Sequence, residues 1–348
     1  MYPATNPKNE VIDTIVESIR AQGSMEVIPF HLVFSYFRSF DVLHVHWPDA
    51  VLFPAPAWRT YLKTFLFLGI VLLSHALGRR IAWTVHNMES HEKYYARLES
   101  LVWNVFLRRV DHVIHLCRQS EIALANDERL CGASHILIPH PHYVGTYPNP
   151  PDRAAARRDL DIPSDRFVFL FFGMIRPHKG VEELIDAFSA AELLDALLII
   201  AGEPIAFPQE RLAGAEAHPQ IRLIKGFLDR NRLEALIRAC DVVVLPYLKI
   251  LNSGVAITAL SLGRTILAPR AGAMVDLAEM LGERWVRCYD GLLTAADLGA
   301  TQQACAVPTT GGEARGPEEP DLSALSPSSV ASRMTEVFLK GARRARRR

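Results

Sequence analysis

The sequence predicts an α/β protein with two Rossmann-like, doubly wound domains that face each other across a cleft. Apolar runs of strand length alternate with helical patterns, and this alternation occurs in two series separated by a proline-rich stretch at 147–165. A chain of 348 residues with 49% hydrophobic and 22% charged residues is large enough for two domains with cores of their own. We therefore assign residues 1–147 to the first domain and residues 148–305 to the second.

The first series begins with a turn-like segment at 3–7 and a helical pattern at Glu10–Ala21. A doubly wound domain normally begins with a strand, so we interpret its first strand as missing, either supplied differently or encoded upstream of the assigned start. The apolar runs that we interpret as strands follow in order: Val27–Phe34, Asp41–His46, Arg80–Val85, His112–Leu116 and Ser134–Ile138.

The uncharged segment Thr64–Leu77 lies between two of these runs and predicts a buried helix. Its 14 residues reach only about 21 Å as a helix, whereas a hydrocarbon core is about 30 Å thick. We therefore expect it not to span a membrane. Shallow insertion into one leaflet, with Lys63, Arg79 and Arg80 at its ends, is the alternative.

The second series predicts the strands Phe167–Phe172, Ala196–Ala201, Ile221–Lys225, Asp241–Leu245 and Thr265–Ala268. Residues 306–328 are rich in Pro, Gly, Glu and Ser, which is typical of a flexible connector. Residues 329–348 then predict a C-terminal helix with a basic tail. Such a tail is attracted to an anionic leaflet, although a solvated helix end is an equal alternative.

Net charge, cysteine content and the N-terminal residues indicate which binding partners and which cell compartment to expect. The net charge is zero, so nothing favours nucleic acid as a partner. The five cysteines are scattered and odd in number, which indicates reduced thiols, and residues 1–20 lack the apolar core of a secretory signal. We expect a cytoplasmic protein, peripheral on the inner face of the cell membrane; the sequence indicates no oligomeric state.

The segment Gly173–Gly180 is the most informative motif. It connects the apolar run at 167–172 to a helical pattern that starts at Val181. Glycine lets a phosphate approach the backbone, the helix start presents free N–H groups, and Arg176 and Lys179 add full charges. The spacing matches neither a P-loop nor a dinucleotide turn, which disfavours an NTPase or a dehydrogenase. A diphosphate site for a nucleotide-sugar is the prediction.

A second anion site is predicted at Asn252-Ser253-Gly254, which precedes the apolar helical stretch Val255–Leu262. A simple helix cap is the alternative. Phe227, which follows another strand, is a candidate to flank a nucleobase.

Two polar clusters follow strands of the first domain, His44-Val45-His46-Trp47-Pro48-Asp49 and the residues from His86 to Glu92. Ligands of open α/β sheets bind beyond the carboxyl ends of the strands, so we expect both clusters at the cleft. Hydrogen-bonded structural histidines are the alternative for His44 and His46. No third ligand at zinc spacing accompanies them, and Asp159-Leu160-Asp161 lies in the linker, so we expect no required metal.

Three motifs of the second domain resemble the donor half of GT-B glycosyltransferases: the stretch Phe172–Glu182, the stretch Asp241–Tyr247, and a glycine-bearing helix followed by Ala268-Pro269. Four further stretches make the resemblance more specific: 41–48, 84–92, 252–262 and 282–291. With them, the chain resembles xanthan-type β-mannosyltransferases that act on lipid-linked oligosaccharides. The resemblance covers residues 3 to 298. It implies transfer of mannose from GDP-mannose, without a cofactor, to a polyprenyl-diphosphate-linked oligosaccharide in exopolysaccharide biosynthesis.

The chain departs from the retaining family-4 pattern Glu-x7-Glu, because Ile250 and Thr258 occupy the two glutamate positions. The absence of both acids supports an inverting reaction. A UDP-sugar donor or a retaining course stays open, as do a catalytically silent nucleotide-sugar binding protein and, more distantly, an epimerase.

An inverting transfer needs a general base at the acceptor and cations on the leaving diphosphate. We favour Glu92 as the base. Asp49 is the second candidate, and His86 and His91 rank after it. The resemblance implies that His86 contacts the donor sugar. The donor-binding residues that we predict are Gly173, Arg176, Lys179, Glu182, Phe227, Tyr247, Asn252, Ser253 and Gly254; the acceptor-binding residues are His46 and Trp47.

Overall fold

The computed structural model describes residues 11–52, 56–88, 95–146, 152–305 and 319–345. The chain folds as two compact units. Unit 1 comprises Met1–Pro141 and Ser323–Arg348, and unit 2 comprises His142–Leu322. The chain therefore leaves unit 1 after residue 141 and returns to it for its last helix.

Helices and strands alternate in both units. The helices are α1 (Val11–Gln22), α2 (Ala57–Ala76), α3 (Ala96–Leu107), α4 (Arg118–Leu124), α5 (Arg153–Asp159), α6 (Val181–Ala190), α7 (Gln209–Ala217), α8 (Arg230–Ala239), α9 (Gly254–Ser261), α10 (Ala273–Leu281), α11 (Ala295–Cys305) and α12 (Pro327–Ala345). The strands are β1 (Val42–Val45), β2 (Arg80–Val85), β3 (His112–His115), β4 (Ser134–Leu137), β5 (Phe167–Phe172), β6 (Ala196–Gly202), β7 (Ile221–Lys225), β8 (Val242–Val244), β9 (Thr265–Pro269) and β10 (Val286–Tyr289).

The sheet of unit 1 is parallel, in the order β1-β2-β3-β4. Trp83 of β2 is buried against Trp103 and Phe106 of α3, with ring centroids 5.5 and 6.2 Å away, and Phe106 in turn contacts Phe67 of α2. A second core cluster joins apolar residues of α1 and α12 to Ala82 and Ile114 of the sheet. Helices thus cover the apolar sheet, as a parallel sheet requires.

The last helix, α12, completes unit 1 across a long sequence separation. Gln22 Nε2 at the end of α1 donates hydrogen bonds to Ser328 O and Ser332 Oγ, each at 2.9 Å. Met334 and Phe338 of α12 are buried in the same cluster as α1. The basic tail at 346–348 and residues 306–318 of the predicted connector lie outside the described residues.

The predicted strand at Val27–Phe34 is wrong. Residues 26–31 have no regular structure, and Phe34–Tyr36 form a 3-10 turn. Pro29 cannot donate a backbone hydrogen bond to a ladder, which disfavours a strand, while Val27 packs on the α1–α12 cluster. As a result β1 is an edge strand of the described sheet.

The sheet of unit 2 is also parallel, in the order β10-β9-β8-β5-β6-β7. Strands β5 to β9 lie within a residue or so of their predicted positions, whereas β10 was not predicted. Asp241 fixes the start of β8, since it accepts hydrogen bonds from Arg157 Nη2 and Val168 N, both at 2.8 Å. Helix α5 lies in the predicted linker and ends at Asp159, so the Asp-x-Asp sequence is at a helix end.

Candidate active site

The loop between β5 and α6 carries the predicted diphosphate site. Gly173 follows β5 with a φ of 118°, a conformation that favours glycine. The loop then pairs with the residues that follow the C-terminal end of β6. Ile175 N donates to Glu203 O at 2.9 Å, and Ile205 N donates to Ile175 O at 2.8 Å. A 3-10 turn, Pro177–Lys179, leads into α6.

Gly180 holds this loop against the end of β8. Its φ is 65°, and a Cβ atom at this position would lie 1.8 Å from Pro246 O. Leu248 N also donates to His178 O at 3.2 Å. Only glycine fits here, and the close approach brings Lys179 next to the residues that follow β8.

Lys179 stands over the ring of Tyr247, with Nζ 3.7 Å from the ring centroid. Burial and, to a smaller extent, the positive charge of Arg176 together lower the pKa of Lys179 to about 8. Two cations are therefore close enough to repel each other at the end of β5. An anion bound between them would relieve this repulsion, which is what a diphosphate requires of its site.

The start of α9 lies beside the same loop. A methyl group on Gly173 would be 3.9 Å from Val255 Cγ2. Ser253 is the N-cap of α9, because its side chain accepts a hydrogen bond from Ala256 N at 3.2 Å. The cap interpretation of Ser253 is thus confirmed, while binding of an anion at this helix start stays a prediction.

Tyr247 contacts both parts of the predicted donor site, the β5–α6 loop through Lys179 and the start of α9 through Ser253. Burial raises the pKa of its hydroxyl, and a hydrogen bond with Ser253 opposes this shift. The structure therefore brings together Gly173, Lys179, Tyr247 and Ser253, with Asn252 half-buried and Gly254 exposed at the start of α9.

Two further donor candidates lie in different surroundings. Glu182, in the first turn of α6, forms an ion pair with Arg211, whose Nε is 3.3 Å from Glu182 Oε2. Phe227 follows β7 and is 85% exposed. The exposed ring is available for stacking, whereas the Glu182 carboxylate is already engaged.

In unit 1, the ends of β1 and β2 bring together the predicted acceptor residues. His46 Nδ1 and His86 Nε2 are 2.8 Å apart, and the ring of Trp47 stacks on His86 with centroids 4.2 Å apart. Behind them, His44 Nε2 is 2.8 Å from Thr84 Oγ1, and Phe338 of α12 contacts the His44 ring. His44 is therefore a hydrogen-bonded core histidine, as the alternative interpretation held.

These histidines are neutral at physiological pH. Burial lowers the pKa of His44 to about 3 and lowers the pKa values of His46 and His86 well below 6.5. The nearby His140 acts in the same direction on both His46 and His86. In the neutral pair one imidazole donates and the other accepts, so His86 is a weak base and a good hydrogen-bonding group.

Of the remaining base candidates, Asp49 lies in the described part of the chain and the other two do not. Asp49 is half-buried in the 3-10 segment Pro48–Leu52, directly after Trp47. Glu92 and His91 lie outside the described residues. Their ranking as bases stays a prediction.

Sequence reasoning missed His140. It follows β4 by three residues, is half-buried, and donates a hydrogen bond from Nδ1 to Pro141 O at 2.8 Å. Its pKa is lowered to about 4, chiefly by burial. The signal that identified His46 and His86, a polar residue after a strand end, also applies to His140.

Within the ranges that the structure describes, no group of three or more His, Cys, Asp or Glu side chains is arranged to hold a metal ion. The expectation that no metal is required remains a prediction, since residues such as Glu92 are not described.

Comparison with known proteins adds independent findings. The profile of the family described as "Glycosyl transferases group 1" matches residues 152–274. The chain is 33% identical over 288 residues to the GDP-mannose:glycolipid 4-β-D-mannosyltransferase of Xanthomonas campestris pv. campestris, which covers 82% of this chain and 75% of that protein. It is 26% identical over 162 residues to the lipopolysaccharide 1,2-N-acetylglucosaminetransferase of Salmonella typhimurium, covering 43% of this chain and 42% of that protein.

Two solved structures show the fold. Sucrose-phosphate synthase from Thermosynechococcus elongatus matches with a TM-score of 0.61 at 17% identity, over 97% of this chain and 80% of that one. Anabaena HepE in complex with UDP and glucose matches with a TM-score of 0.55 at 16% identity, over 88% and 76%. The two parallel sheets with their helices are those of the GT-B fold.

Proposed function

The chain belongs to the group 1 glycosyltransferases, and on that premise we propose that it transfers mannose from GDP-mannose, with inversion, to a polyprenyl-diphosphate-linked oligosaccharide. The observation that carries the proposal is the 33% identity, over 82% of the chain, to a GDP-mannose:glycolipid mannosyltransferase. Exopolysaccharide biosynthesis is the process that we infer for such an acceptor.

The donor half of the proposal rests on Arg176 and Lys179. Breaking the bond between the sugar and the diphosphate places negative charge on the leaving GDP. The two cations at the end of β5 stabilise that charge, and the backbone at Gly173 can approach the phosphates closely. Tyr247 holds the Lys179 ammonium over its ring and so limits the positions that the ammonium can take.

The inverting course is supported by the side chains of Ile250 and Thr258. Retaining relatives carry a glutamate at each of these positions, as the sequence resemblance implies. Thr258 Oγ1 donates to Gly254 O within α9 at 2.9 Å, so its hydroxyl is used inside the helix. Neither side chain supplies a carboxylate to the donor sugar.

We assign the acceptor to the polar cluster of unit 1. The stacked pair of Trp47 and His86 offers an aromatic face, and the neutral imidazoles offer hydrogen bonds to sugar hydroxyls. Glu92 is the base that we favour and Asp49 is the second candidate, because a carboxylate can take the proton of the attacking hydroxyl at neutral pH.

A transfer assay on the full chain tests the proposal. Labelled GDP-mannose and UDP-sugars are each offered with a membrane lipid extract, and labelled glycolipid is then digested with α- or β-mannosidase. We expect transfer from GDP-mannose alone and a product that only β-mannosidase cleaves. Transfer from a UDP-sugar, or release by α-mannosidase, contradicts the donor or the inversion respectively.

A further inference from the structure

Exposed aromatic side chains are concentrated in one part of unit 1. In the described ranges, six Phe, Trp or Tyr side chains are exposed, and five of them lie between residues 34 and 65: Phe34, Phe37, Trp58, Tyr61 and Phe65. The sixth is Phe227, which follows β7 in unit 2. Large apolar side chains in water mark an interaction surface when they are contiguous.

Helix α2 provides most of this surface. One side of the helix is buried in unit 1 through Phe67, Ile70 and Val71. On the other side Trp58, Phe65 and Leu72 follow at intervals of seven residues and are 63%, 57% and 43% exposed. This spacing places the three side chains along one stripe of the helix, flanked by Tyr61 and Leu62.

The 3-10 turn at Phe34–Tyr36 is anchored to the same helix. Tyr36 Oη donates to Leu66 O at 2.7 Å, and its ring lies so close to Gly69 that a Cβ atom there would be 2.2 Å from the hydroxyl. Phe34 and Phe37, on either side of Tyr36, are 59% and 85% exposed. The turn therefore extends the apolar stripe with two more aromatic rings.

The charges around the stripe are positive. Helix α2 carries Arg59 and Lys63 and no acidic residue, and Arg38 follows the 3-10 turn. The Arg59 guanidinium lies 5.1 Å from the ring centre of Trp58, so that charge is at the edge of the apolar stripe. Cations beside Trp, Tyr and Phe suit the boundary between anionic headgroups and acyl chains.

Helix α2 is also the one helix in the described ranges that is long and apolar enough to cross a bilayer, but 39% of its most apolar window is buried in the protein. Withdrawing it to span a membrane would remove Phe67 from its contact with Phe106. We propose that α2 and the turn Phe34–Phe37 form a surface that inserts shallowly into an anionic bilayer while α2 stays packed in unit 1. This inference rests on the surface itself and does not depend on the donor or acceptor.

Sedimentation with vesicles tests the surface on the full chain, using phosphatidylcholine with or without phosphatidylglycerol. We expect the double variant Trp58→Ser/Phe65→Ser to bind about tenfold or more weakly to both vesicle types. Arg59→Gln/Lys63→Gln should lose about fivefold per charge, only on vesicles with phosphatidylglycerol. Ile122→Ser is the matched control, because Ile122 is 74% exposed on α4 of the same unit.

A second measurement keeps the proposal testable if the serine variants fold poorly. Brominated acyl chains should quench the tryptophan fluorescence of the vesicle-bound protein, and Trp58→Phe should retain binding while losing most of that quenching. Unchanged quenching in Trp58→Phe, or equal loss of binding in Ile122→Ser, would overturn the proposed surface. Complete release of the wild-type protein from the vesicles by high salt alone would contradict insertion, because salt screens charges but does not remove side chains buried among acyl chains.

Discussion

Lys179 and Arg176 differ in how their charges respond to pH. Arginine stays charged throughout the accessible range, whereas the pKa of Lys179 is lowered to about 8 by burial and by Arg176. Under the proposed function, the donor diphosphate binds the charged form of Lys179. We expect kcat/KM for the donor to fall as pH rises through about 8, measured as a pH profile of initial rates. Lys179→Arg should remove this fall, and an unchanged profile in that variant would assign the titration elsewhere.

Removing either cation should weaken donor binding as well as turnover. A hydrogen bond to a charged group contributes roughly 1.5–3 kcal/mol, so we expect the Kd for GDP-mannose to rise about tenfold or more in Arg176→Ala and in Lys179→Ala. Titration calorimetry measures the Kd directly. Arg232→Ala, which removes an exposed cation of the same unit, is the control and should bind normally.

Replacing the general base should abolish transfer without weakening donor binding, unlike replacement of the two cations. We expect Glu92→Gln to bind GDP-mannose normally and to lose transfer by about a hundredfold or more, because the amide cannot accept the proton. Binding and transfer are measured on the same preparation. Asp49→Asn is the paired variant: if it loses transfer while Glu92→Gln remains active, Asp49 is the base and our ranking is wrong.

Among the elements, the strands of unit 2 around the proposed donor site were predictable because their signal is local. Strands β5, β6 and β8 are nearly continuous apolar runs, as buried parallel strands are, and most residues of β7 and β9 are apolar. The edge elements were harder. Val27–Phe34 alternates like a strand but contains Pro29, and β10 is a four-residue strand interrupted by Arg287, so the pattern alone gave a wrong strand and missed a real one.

The glycine before α6 is an element-scale feature that can be tested. Gly180→Ala combines a φ of 65° with an overlap against Pro246 O, so we expect a loss of about 2 kcal/mol or more in the free energy of unfolding, together with weaker donor binding. Urea unfolding measures the first effect. Gly214→Ala in α7 is the matched control, because nothing lies within 4 Å of its added methyl group and alanine favours a helix. Equal stability of the two variants contradicts the close approach.

On the scale of the molecule, the buried histidines of unit 1 make its stability depend on pH. Their folded pKa values lie below the unfolded value of about 6.5, reaching about 3 for His44 and about 4 for His140. The unfolded chain then binds more protons, so stability is full above about pH 6.5 and is lost as pH falls toward those folded values. The loss is roughly 1.4 kcal/mol per pH unit for each such histidine.

Tryptophan fluorescence reports mainly on unit 1, which holds four of the five tryptophans: Trp47, Trp58, Trp83 and Trp103. We expect the urea midpoint to be lower at about pH 5 than at about pH 7.5. His44→Gln should reduce this difference, while His75→Gln, at an exposed position on α2, should leave it unchanged. A midpoint that does not vary with pH would show that the histidines are charged in the folded protein.

Most contacts between segments distant in the sequence could not be predicted from local sequence patterns. The pairing of His46 with His86 follows from adjacent strands, so the rule on strand ends could anticipate it. The contact of Phe338 with His44 joins residues nearly 300 positions apart, and no local pattern indicates it. The sequence predicted a C-terminal helix, but not that this helix packs in unit 1.

The return of α12 to unit 1 has a consequence for synthesis on the ribosome. All of unit 2 emerges before the segment from Ser323 onward does, so unit 2 can complete its sheet while unit 1 still lacks one helix. Until α12 arrives, the apolar face formed by α1, Ala82 and Ile114 is uncovered. Unit 2 can therefore mature on the nascent chain before unit 1, whose apolar face is covered only after the segment from Ser323 onward has been made.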